Sequence, residues 1–184
     1  MPLIQLDEKD IARRGLGISR LLRPLSRIPS GPACARRGGS TGEIIICAHE
    51  GSIIKSNFAD WRFATTTPGF WANYYEIWSP FDKARRRFCL EKAYLTIYKE
   101  DKEYICLHCD PNRTEVEKSG KATYQKGPHL HVKCAETPIP KAHLALTGVY
   151  LDQTLADAAN LTKALEWSIQ MIRDEVLDRV DTIS

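Results

Sequence analysis

Four of the five histidines fall in three short apolar segments, each on the parity opposite the aliphatic side chains. In Tyr104-Ile-Cys-Leu-His-Cys109, Ile105 and Leu107 alternate with Cys106 and His108. In His129-Leu-His-Val-Lys-Cys134, Leu130, Val132 and Cys134 alternate with His129 and His131. In Ala142-His-Leu-Ala-Leu146, His143 opposes the two leucines. Successive strand residues project to opposite faces, so adjacent strands would bring the four imidazoles to one face. Imidazole titrates near neutrality, and a neighbouring pair can act as general base and general acid. Lys126, Lys133 or Lys141 would then stabilise developing phosphoryl charge, the requirement for metal-independent phosphodiester cleavage. Alternatively, His129 and His131 offer two metal ligands on one strand, with His143 or His108 as a third. A set built on Cys106 and Cys109 requires a knuckle turn, because a straight strand sends those thiols to opposite faces. A binding surface in which the histidines are only contact residues needs no such coincidence. It is the favoured reading, with no metal and no cofactor expected.

The segments that must position these residues read as strands followed by a helix. Strands are expected at Glu43–Ala48, Trp61–Thr65, Trp71–Ser79, Phe88–Lys99, Glu103–Asp110, Leu130–Cys134 and Ala142–Leu146, with Glu100-Asp-Lys102 turning a hairpin. Thr123–Tyr124 is a further short candidate. Near the C-terminus, Leu161, Leu165, Ile169, Ile172, Val176 and Val180 recur every three or four residues. That stripe predicts a helix over 160–181, with Asn160 as its N-cap and one face buried. The fold class expected is α+β, a mainly antiparallel sheet with a long C-terminal helix packed on one face. At 184 residues the chain suits one domain. Its 43% apolar and 27% charged composition is that of a globular protein.

Upstream of the sheet the composition changes. Residues 1–40 carry eight basic side chains against three acidic ones, and between Ile11 and Gly42 there are seven arginines and no acid. Ile18, Leu21, Leu22 and Leu25 mark a short amphipathic helix, weakened by Pro24 and by Gly15 and Gly17. Residues 28–42 have linker composition, rich in Pro, Gly and Ser. Residues 1–42 are therefore read as a basic N-terminal arm and linker that become ordered mainly on a partner, and residues 43–184 as the single folded domain. Arg13, Arg14, Arg20, Leu21, Leu22, Arg23 and Leu25 are the arm's candidate binding residues, through charge or an apolar stripe. A second basic cluster, Arg85, Arg86 and Arg87, follows the aromatic segment Phe70–Trp78, and aromatics beside arginines can stack bases and hold phosphates.

Residues 126–143, with Lys126-Gly-Pro-His-Leu-His-Val-Lys133 and Pro138-Ile-Pro-Lys-Ala-His143, resemble His-rich segments of small bacterial toxin and defence-associated proteins. The resemblance implies no particular fold or substrate. The chain has no Gly-x-Ser-x-Gly elbow, phosphate-binding Gly-x-x-x-x-Gly-Lys loop or dinucleotide fingerprint. No uncharged apolar run approaches the ~18 residues that span a bilayer. Six cysteines sit singly in apolar segments, which with no secretory leader reads as free thiols in the cytoplasm. The expectation is a small accessory or adaptor subunit of a multi-protein assembly, binding a protein partner through residues 1–40 and an open sheet face. Nucleic acid is a possible second partner and no membrane is expected. The alternative is a small metal-independent hydrolase or nuclease-like toxin using His129, His131, His143 and His108.

Overall fold

The computed structural model describes residues 4–38, 41–50, 61–82, 84, 86–111, 129–132, 142–145 and 157–180. For Arg37, for 129, 131 and 132, and for 142–145 the description covers the backbone alone. The architecture is α+β, nine antiparallel strands in one sheet with two helices.

The spine is a hairpin of two thirteen-residue strands, β5 (Phe70–Asp82) and β6 (Arg87–Lys99). Both are rich in aromatic and β-branched residues, which fit a pleated surface. Each long strand shares its outer edge between two short ones. Along β5 these are β3 (Ile44–His49) and β4 (Phe63–Ala64). Along β6 they are β7 (Lys102–Cys109) and β1 (Gln5–Asp7). Beyond β3 lies β2 (Ala33–Gly38), and beyond β7 lie β8 (His129–Val132) and β9 (Ala142–Ala145). A bulge opposite Ile77/Trp78 leaves Glu91 out of the ladder, so Leu90 and Ala93 reach the same buried layer despite their odd spacing.

Helix α1 (Glu8–Leu22) and helix α2 (Ala158–Ile172) both bury apolar stripes in one core. The sheet contributes Ile44, Ile46, Phe70, Ala72, Tyr74, Trp78, Leu95, Ile97, Ile105 and Leu107, and the helices add Ile11, Ile18, Leu22, Leu161, Leu165, Ile169 and Ile172.

Three expectations need correction. First, the proposed arm is built into the fold. β1 pairs with β6, α1 packs on the core and β2 pairs with β3 across the expected boundary at residue 43. Ala33-Cys-Ala-Arg-Arg-Gly38 lacks strong strand formers and was read as linker, but its pairing partner β3 supplies the apolar surface. Gly31 has φ +87°, and a Cβ there would fall 2.3 Å from the Ser19 carbonyl oxygen. Only glycine lets the α1–β2 connection cross so closely over the helix. Second, the C-terminal helix starts earlier and ends differently. Asp157 is its N-cap, accepting from the Asn160 backbone N–H at 2.7 Å. After Ile172 the chain makes a π-helical turn (Arg173–Leu177), which buries Leu177 where regular spacing puts Val176. Third, Trp61–Thr65 contributes only the two-residue β4. The Thr123–Tyr124 candidate lies outside the described residues. No helix among them is long and apolar enough to cross a membrane.

Candidate functional site

Charge on the helix side of the sheet is gathered at one point. Along β5 the inward parity reads Phe70, Ala72, Tyr74, Glu76, Trp78, so one carboxylate enters an otherwise apolar row. Glu76 is fully buried, and its partner Arg14 on α1 is 9% exposed. The Arg14 Nε donates to both carboxylate oxygens, at 3.0 and 2.8 Å, and a terminal nitrogen donates to Oε1 at 2.7 Å. Tyr74 Oη donates to the same carboxylate at 2.6 Å and Trp78 Nε1 at 2.9 Å. The other terminal nitrogen of Arg14 donates to Thr162 Oγ1 on α2 at 3.0 Å. Burial alone would lower the Arg14 pKa, but the facing carboxylate outweighs it and the net direction is upward. Burial, reinforced by Glu76, raises Tyr74 well above its ordinary value. A carboxylate with every direction occupied offers nothing to a substrate; what it does is join α1, the sheet and α2.

The outward face of α1 is the reverse. Lys9, Arg13, Leu16, Arg20 and Arg23 are all exposed and follow one another at steps of four and three, a single solvent-facing stripe. Leu16, at its centre, is 70% exposed. The only partner shown for Arg13 is Asp10, at 3.4 Å. Asp7 caps the helix start, accepting from the Asp10 N–H at 2.7 Å, and Glu8 beside it is bridged by Arg36 and Arg86. These residues line an open pocket of about 400 Å³ with Lys9 and Ala12. The Arg36 hydrogen bond, with both arginines' charge, holds Glu8 below the usual carboxylate range.

Of the arm residues expected to bind, Arg13, Arg20 and Arg23 therefore face solvent. Arg14, Leu22 and Leu25 are core residues, and Leu21 is half-buried against that core. In the second cluster Arg86 is tied to Glu8, Arg87 is exposed and Arg85 lies outside the described residues. The aromatic segment is not a stacking platform, because Phe70, Tyr74 and Trp78 face the core.

On the opposite face, the register sets Cys106 opposite His131 and His108 opposite His129, and sets His131 opposite His143. The three histidine-bearing strands are thus neighbours. Only His108 has a described side chain. Its ring stacks flat on Tyr94 of β6, with centroids 4.0 Å apart and planes at 10°. Tyr94 Oη in turn donates to Asp110 at 2.8 Å, and Tyr94 lies 5.3 Å from Tyr75. This face is not open as expected. Cys47, Asn73, Thr96, Cys106 and Asp110 are each at most 4% exposed, although all belong to the side away from the helices or its rim. Burial pushes Tyr75 and Tyr98 up from their ordinary values. Among residues with described side chains, no group of three or more His, Cys, Asp or Glu converges on a common point.

Sequence reasoning missed Glu76, Tyr74, Trp78 and Thr162, and it misplaced Arg14. The available signal was a lone Glu on the apolar parity of β5, which demands a buried cationic partner. No known protein family, no characterised protein and no solved structure matches the chain.

Proposed function

We propose that this chain is a small cytoplasmic adaptor or accessory subunit, docking its outward α1 stripe on an acidic protein surface that has an apolar pocket for Leu16. One observation supports the reading above others. Lys9, Arg13, Arg20 and Arg23 stand in a solvent-facing row about 21 Å long at the helical rise, around a leucine that is 70% exposed. Arginines around an apolar anchor are the composition of interface hot spots. The inward Arg14–Glu76 tie fixes the helix before any partner arrives, so docking costs little ordering. An adaptor reading is favoured over a hydrolase because the described part of the histidine-bearing face is covered by neighbouring structure rather than cleft-like.

The test is capture from an extract of the native host on the immobilised chain, comparing wild type with the triple variant Arg13→Glu, Arg20→Glu, Arg23→Glu and with Leu16→Asp. The expected result is a nuclease-resistant protein partner, released by moderate salt, absent with the triple variant and weakened with Leu16→Asp. Capture that survives charge reversal would refute the surface. Capture abolished by nuclease would replace the protein partner with nucleic acid.

A further inference from the structure

We propose that His129, His131 and His143 form a three-imidazole site for a zinc-type divalent ion that staples the last two strands of the sheet. The inference rests on the backbone register, independently of the α1 surface. His129 and His131 are two apart on β8 and so share a face, and His131 is the direct partner of His143 on β9. Directly opposed positions in an antiparallel ladder have Cβ atoms about 4.5–5.5 Å apart. Two same-strand positions and one cross-strand position give a triangular donor set, leaving the fourth tetrahedral place to solvent.

His108 is a neighbour of this set and not a member of it. It sits opposite His129, but its ring lies on Tyr94, which belongs to β6 on the far side of β7 from β8. Cys106, opposite His131, is likewise drawn towards β6, its sulfur 2.9 Å from Thr96 Oγ1. Both β7 residues on this parity are thus engaged away from β8, and the third ligand falls to β9.

The location gives the ion a structural task. β8 and β9 are four residues each, and β9 ends the sheet. Of these eight residues, Leu130 is the one shown in the buried cluster. Strands that short, at an edge, bury too little apolar area to hold themselves in register. Metal binding that is absent in the unfolded chain adds its free energy directly to folding. Three imidazoles placed around one another, where neighbouring charges of like sign would repel, suit the neutral, metal-binding form.

The experiment uses the full chain without a histidine tag, stripped with chelator and then titrated with zinc, with cobalt(II) as the spectroscopic probe. One ion per chain is expected, with a tetrahedral cobalt visible band and a higher midpoint of thermal unfolding in the loaded protein. His131→Ala and His143→Ala should each weaken binding by at least about 100-fold, the upper end of what loss of even an outer-shell partner costs. Should either fail to fold, His131→Gln and His143→Gln supply the same comparison. His108→Ala should leave affinity unchanged. Absence of a stoichiometric ion, or retention of one by the variant lacking all three ligands, overturns the site. A His108→Ala loss matching that of His143→Ala overturns the choice of third ligand.

Discussion

The two faces of α1 treat the same residue type in opposite ways. Arg13 stands in solvent with 67% of its side chain exposed, and its shown contact is a 3.4 Å approach to Asp10. Arg14, the next residue, is 9% exposed and makes a bidentate bond to a carboxylate sixty-two residues away. An exposed ion pair gains little over water, whereas a buried one whose partner is removed leaves an uncompensated charge in a low-dielectric interior. One face of the helix therefore fixes the fold and the other is free to be used. Composition alone, seven arginines with no acid, cannot separate those roles, because the division follows the helical turn.

That contrast can be broken at its strongest point first. Glu76→Ala or Arg14→Ala should lower unfolding free energy by about 3–5 kcal/mol, measured by urea titration, because each strands a buried charge. The Arg14→Met, Glu76→Leu double variant should recover much of that loss, since apolar replacement of a whole buried pair is often neutral. A loss below about 1 kcal/mol for either single change would mean that water reaches the pair. Asp7→Ala, removing the N-cap hydrogen bond to Asp10, should cost about 1 kcal/mol in the same titration. Arg13→Ala should stay within about 0.5 kcal/mol of wild type; a larger effect would show that the outward stripe is also structural.

The thiols supply the gentlest probe. Burial, with Glu76 nearby, raises Cys34 to about 12, and burial, with Glu91 nearby, raises Cys89 to about 11. A thiol raised on folding contributes stability that is intact below the unfolded value, about 8.5, and lost as pH climbs towards the folded one. Unfolding midpoints should therefore be insensitive to these groups up to pH 8 and decline from pH 9 to 11. Cys34→Ser and Cys89→Ser should flatten that alkaline slope, and an unchanged slope would assign it elsewhere.

Much of the sheet was legible because its signals are local. Alternation gave β3, β5, β6 and β7, and Glu100, at φ +55°, closes the hairpin where the charged triplet interrupts the strands. Leu161, Leu165, Ile169 and Ile172 are buried as their spacing implies. What escaped depends on distant partners. β2 has weak propensity and exists through β3, and the tie of Arg14 to Glu76 links segments with no shared pattern. The histidine parity was readable, but strand order was not, and only the register shows which positions are opposed. The aromatic segment misled because alternation sends its rings to two faces, and three of them went inward.

The π-helical turn at Arg173–Leu177 has a consequence for how the chain end tolerates insertions and deletions. The turn holds one residue more than regular winding would, and Leu177 is buried there while its carbonyl accepts from Thr67 Oγ1 at 3.3 Å. Deleting one residue from this stretch would let the winding become regular while turning everything beyond it by about 100°. The anchor would then swing off the protein body, so chain length in these five positions is under tighter constraint than residue identity.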